Sequence, residues 1–95
     1  MYGFTQDVPI DTEFYRRIKD GLGLELPKGL ISHTVVELPE GGLRYIDIWE
    51  SEADWERFAE ERLHPVVHPL LKEIFGDTLL PEPERKALNV IDHWA

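Results

Sequence analysis

Tyr45, Asp47 and Trp49 alternate along one short run, and His33 lies on the apolar run before it. In an extended chain alternate residues share a side, so Tyr45, Asp47 and Trp49 form a strip with two aromatic groups around a carboxylate. A flat aromatic wall suits a polycyclic phenol or quinone, and the carboxylate beside it could take a proton. Burying such a carboxylate is costly unless it is paired. Asp47 therefore reads as an active carboxylate, or as one that meets Thr34 across the ladder or an arginine such as Arg16 or Arg17. Trp49 either lines a cavity or fills a core. His33, between Ser32 and Thr34, belongs to a residue type that titrates near neutrality and serves as a general base, or it is an interface histidine.

Other candidates carry less chemistry. His64 and His68 are four apart and follow Glu61, a spacing that on an unbroken helix lets two imidazoles share a zinc ion. Each is followed by a proline, Pro65 and Pro69, so the helix is expected to fail where the chelate needs it. No metal and no cofactor is expected. His93 reads as a strand-end residue. Ser32 and Ser51 fall in a strand and at a helix cap, with no elbow-like setting for a nucleophile. Cysteine is absent, and no glycine-rich phosphate loop is present.

The elements that must position these groups follow from punctuation and periodicity. Tyr2 to Val8 reads as a strand stopped by Pro9. Asp11 reads as a helix N-cap, with Ile10 and Tyr15 placed for a hydrophobic staple. Phe14, Ile18 and Leu22 give that helix one apolar stripe, and Gly21 and Gly23 end it. Leu30 to Leu38 and Leu43 to Trp49 are the clearest strands, joined by Pro39-Glu40-Gly41-Gly42 as a hairpin. A four-residue loop sets Leu38 opposite Leu43, Val36 opposite Tyr45, Thr34 opposite Asp47 and Ser32 opposite Trp49. Glu37 then faces Arg44 on the other side, and His33 falls on the opposite face from Asp47 and Trp49. Thr34, Val36 and Phe14 join Tyr45 and Trp49 as expected ligand contacts.

Ser51 caps a second helix, with Asp54 in the place of a capping-box partner and Trp55, Phe58, Ala59 and Leu63 as its apolar face. Pro65 is expected to break or kink it. The segment beyond carries Val66, Val67, Leu70, Leu71, Ile74 and Phe75 and stops at Gly76. Pro81-Glu82-Pro83 reads as a connector, and Lys86 to Trp94 as the last strand. The order is β-α-β-β-α-β, an α+β chain of the ferredoxin-like kind with a four-stranded antiparallel sheet and helices on one face.

Both faces of the hairpin are apolar: Val36, Leu38, Leu43, Tyr45 and Trp49 on one, Ile31, Val35, Ile46 and Ile48 on the other. One chain's helices cover only one of them. The second would be a patch of roughly several hundred Å2, larger than monomers usually tolerate, and twofold pairing buries it most simply. A homodimer is therefore expected.

The run Gly41-Gly42-Leu43-Arg44-Tyr45-Ile46-Asp47-Ile48-Trp49-Glu50-Ser51, followed by Glu52-Ala53-Asp54-Trp55-Glu56-Arg57-Phe58, resembles the dimeric α+β barrel superfamily, in its antibiotic-biosynthesis-monooxygenase-like branch. There a strand ending in a Trp-Glu-Ser type sequence runs directly into the second helix. The resemblance implies a protomer whose sheet packs on a twin's sheet, with a pocket between sheet and helices. It also implies a cofactor-independent monooxygenase or cyclase acting on aromatic or polyketide-like compounds, or a non-catalytic binder of such ligands. Where the monooxygenase-like helix often carries a histidine, this chain has Trp55 and Phe58.

Composition bounds the rest. Ninety-five residues suit a single domain over 1–95. A net charge of −9 repels nucleic acid and anionic lipid alike. No apolar run is long enough to span a bilayer, no signal-peptide pattern opens the chain, and the absence of cysteine points weakly to a cytoplasmic setting.

Overall fold

A computed structural model describes residues 1–76 and 82–94. Its strands are β1 (Tyr2–Val8), β2 (Leu30–Glu37), β3 (Leu43–Trp49) and β4 (Arg85–Asn89), and its helices are α1 (Thr12–Leu22), α2 (Glu52–Phe58) and α3 (His64–Phe75). The strands form one sheet in the order β2-β3-β1-β4, and every neighbouring pair is antiparallel. Pro81 of the expected connector lies outside the described residues.

Both helix starts follow from local chemistry. The Asp11 carboxylate accepts the Phe14 amide proton at 2.8 Å, which satisfies one of the donors a first helical turn leaves free. At α2 the Ser51 hydroxyl accepts from the Asp54 amide at 3.2 Å and donates to the Asp54 carboxylate at 2.9 Å. Tyr15 of α1 packs on His33 and Tyr45, and Trp55 of α2 packs on Phe4 and Trp49. By alternation and register these four partners share one face of the sheet, so both helices cover that face. The buried centre is Phe4, Trp49, Trp55 and Ala59, flanked by Tyr2, Leu30, Phe58 and Leu63.

The hairpin register differs from the expected one by a residue. Glu37 pairs Leu43, Val35 pairs Tyr45, Thr34 pairs Ile46 and His33 pairs Asp47. The turn is the cause. The Gly41 amide donates to the Leu38 carbonyl at 3.1 Å and the Leu38 amide to the Gly42 carbonyl at 3.0 Å, so Leu38 and Gly42 close a three-residue loop. Such loops need a left-handed residue after the turn, and Gly41 and Gly42 hold φ of 101° and 83°. A one-residue slip exchanges the faces of a strand. His33 and Val35 therefore move to the helix-covered face, and Thr34 and Val36 to the open one. A bulge at Ile31 restores the pairing of Leu30 with Trp49. The expected Glu37–Arg44 pair is replaced: Arg44 forks onto Asp7 of β1 at 2.7 and 3.0 Å, while Glu37 accepts from the Thr12 hydroxyl at 3.4 Å.

Two further expectations are corrected. Of the break or kink expected at Pro65, the break is absent: the backbone stays helical, and the irregularity lies just before the proline. A wider π-helical stretch, Ala59–Leu63, joins α2 to α3, and the His64 amide donates to the Ala59 carbonyl five residues back. A widened ladder accommodates a ring that lacks a donor, and Pro65 sits in the first turn of α3, where its missing N–H costs least. The last strand is also shorter than the expected Lys86 to Trp94. In the antiparallel register Asn89 already faces Tyr2, the first residue of β1, so the partner strand is exhausted there.

The open face carries Ile46 and Ile48, both half-buried, with Val36 38% and Leu88 44% exposed. Thr5 and Thr34 lie among them.

Candidate functional site

Register places His33, Asp47 and Trp49 together on the helix-covered face, and Tyr15 of α1 extends the line. Asp47, in the middle of β3, is only 3% exposed. Its Oδ1 accepts from His33 Nδ1 at 2.6 Å and its Oδ2 from the Trp49 indole Nε1 at 3.1 Å. With the Nδ1 proton committed to the carboxylate, the other ring nitrogen of a neutral His33 is an acceptor. It faces the Tyr15 hydroxyl at 2.9 Å. A buried carboxylate thus fixes the tautomer and orientation of an imidazole whose side chain remains 26% exposed. The cost of burying Asp47 is met by two donors, both on neighbouring strand positions.

Aromatic packing holds the line in place. The Tyr15 and His33 rings stack at 6.1 Å, and Tyr45 packs on them at 5.8 and 5.5 Å. Beneath, Trp49 meets Trp55 at 5.6 Å and Phe58 at 5.4 Å. Such geometry binds rings by edge and tilt as well as by buried area.

Tyr45 also belongs to a cleft of about 520 Å3 between α1, α3 and the sheet. Phe14 and Ile18 wall it from α1, Val67 and Leu71 from α3, and Gln6 and Tyr45 from the sheet. A space of this size is in the range that holds one small organic molecule. Gln6 is itself buried and donates to the Pro83 carbonyl at 2.8 Å, which ties the chain before β4 to the cleft floor.

Of the expected site residues, Asp47 and His33 are brought together and Tyr45 and Phe14 reach the cleft. Trp49 is 1% exposed and lies in the core, where it serves Asp47 as a donor; it does not line the cleft. Thr34 and Val36 lie on the opposite face of the sheet. Among the described residues, the hydrogen-bond partners of Asp47 are His33 and Trp49, not Thr34 or an arginine. Tyr15 carries more than its expected part in a helix staple. Its position beside Phe14, on the flank of the apolar stripe, was the available signal that it faces β2.

The two phenols hold their protons tightly. Burial, and then the nearby Tyr15 and Asp47, pushes Tyr45 far above the ordinary tyrosine range. Burial and Asp47 also raise Tyr15. A raised folded-state value contributes stability that is complete below the unfolded value of about 10 and is lost as pH climbs from there toward the folded value. Chemical denaturation in steps above about pH 10 should therefore show falling stability, with a shallower fall in Tyr45→Phe. Equal slopes in the two proteins would contradict the desolvation of this phenol.

No protein-family model matches the chain, and no curated protein matches it.

Proposed function

We propose that this protein binds a small aromatic or polyketide-like molecule in the cleft beside Tyr45. The Asp47–His33–Tyr15 line, which packs on Tyr45 without itself lining the cleft, then takes a proton from a ligand that reaches past that ring, as in a cofactor-independent monooxygenase or cyclase. The observation that carries the reading is the 2.6 Å bond from His33 to a buried Asp47, next to a ring that the cleft shares. A carboxylate-oriented imidazole is a suitable base for a phenolic or enolic proton. In an oxygenase the anion itself reduces dioxygen, one oxygen atom entering the ring as a quinone carbonyl and the other leaving as water; in a cyclase the anion's carbon adds to a carbonyl of the same ligand, whose oxygen takes up the proton.

The antiparallel order β2-β3-β1-β4 with both helices on one face supports a ferredoxin-like protomer. The uncovered Ile46, Ile48, Val36 and Leu88 support pairing of two sheets into a dimeric α+β barrel. Sedimentation should then give a dimer for the native chain and a monomer for Ile48→Asp. A native monomer at micromolar concentration would remove the barrel from this account.

The chemical test uses 1-naphthol and its polycyclic homologues, followed by absorbance and oxygen uptake. His33→Ala should retain binding and lose most turnover. Turnover equal to the native protein would remove His33 from the mechanism.

One observation favours a second reading, a non-catalytic ligand-binding dimer. Both ring nitrogens of His33 are already engaged, by Asp47 and by Tyr15. NMR titration of His33 with and without bound naphthol separates the readings: a ligand-insensitive ring supports the binder.

A further inference from the structure

The cleft is apolar on most of its wall, and beside Gln6 and Glu82 its polar groups are gathered on α3. His64, His68 and Lys72 stand four residues apart on α3 and all three line it. Fourfold spacing puts them in a single row along the helix. The two imidazoles stack nearly parallel, 4.7 Å between centroids and 13° between planes. All three lie within α3, which runs as one α-helix from His64 to Phe75 with Pro65 in its first turn and Pro69 inside it, and that continuity makes the row.

We propose that the cleft selects organic acids, with the ligand's carboxylate bound by the His64–His68–Lys72 row and its ring system against Tyr45 and Phe14. This rests on the reading of the cleft as the ligand site and adds the ligand's charge. Imidazole N–H and ammonium groups are donors that pair with a carboxylate through charge-assisted hydrogen bonds. The row already has a carboxylate beside it: Glu82 Oε1 lies 3.8 Å from His64 Nε2, too long for a hydrogen bond. Glu82 is 63% exposed at its side chain, so it can swing into solvent when a ligand carboxylate arrives. The chain's net charge of −9 repels anions at long range, but that field is screened over about 8–10 Å at physiological salt. Short-range donors inside the cleft then decide the preference.

The probes are 2-naphthoate and its neutral counterpart 2-naphthamide, titrated calorimetrically at neutral pH, with amide chemical shifts locating the site. The native protein should bind the acid about tenfold or more tightly than the amide, the scale of one added charge-assisted hydrogen bond. Shifts should centre on Val67 and Leu71. His68→Leu combined with Lys72→Met, both at exposed positions, should abolish the preference while still binding the amide. Glu82→Gln should strengthen binding of the acid. Equal affinity for the two probes, or a preference that survives the double variant, overturns the inference and leaves the cleft reading standing. Binding of neither probe, or shifts elsewhere on the molecule, overturns both.

Discussion

Asp47→Ala is expected to destabilise the protein by about 3–5 kcal/mol, because it removes a buried acceptor that two donors depend on. The Trp49 indole N–H would be left inside the aromatic cluster without a partner, and His33 would lose the bond that fixes its ring. At roughly 4–8 °C per kcal/mol for a domain of this size, the melting temperature should fall by at least about 12 °C. Asp47→Asn keeps one carbonyl oxygen and so satisfies one donor, with a smaller fall. The distinguishing readout is the His33 ring, whose NMR signals should report free rotation in the alanine variant. A melting temperature within a few degrees of native would mean that the carboxylate is not desolvated as described.

Trp49→Ala is expected to cost about 3–5 kcal/mol, the range for truncating a buried aromatic side chain. Trp49 is 1% exposed and touches Trp55 and Phe58, so its removal empties the centre of the core. Typical domains have only about 5–15 kcal/mol in hand, so partial unfolding at ordinary temperatures is the expected phenotype. Trp49→Phe separates packing from hydrogen bonding. It retains a smaller ring between Trp55 and Phe58 and loses the donor to Asp47, so its cost should be about 1–3 kcal/mol, below that of the alanine variant. The two sites share a bond, and the double variant Asp47→Ala with Trp49→Ala should therefore cost less than the sum by about 0.5–3 kcal/mol. Strict additivity in urea denaturation would contradict a direct bond between them.

These two effects show why Trp49 reads ambiguously from sequence. An aromatic residue one side-chain period from a carboxylate looks the same whether it stacks on a ligand or donates to its neighbour. The deciding fact is the packing of Trp55 and Phe58 from α2, which closes the space above the indole. The histidine pair was obscured for a different reason. Pro65 and Pro69 argue for a broken helix by local rules, but Pro65 falls in the first turn of α3 and the helix runs on through Pro69, which keeps His64 and His68 in line.

Asp11 and Ser51 as caps, the apolar stripe of α1, the hairpin between β2 and β3, and the α+β class were all legible in the sequence alone. Each depends on chemistry within a few residues: a short oxygen-bearing side chain before an apolar period, or two glycines between β-rich runs. The identity of Asp47's partner was not, because it hinges on whether the loop counts three residues or four. Pleated strands repeat every two residues, so that single count decides whether His33 stands beside Asp47 or behind the sheet. Gly41 and Gly42 at positive φ, with β1 bonded along the other edge of β3, hold the three-residue answer. The hydrogen-bonded line of Asp47, His33 and Tyr15 exists only because the tertiary structure chose it.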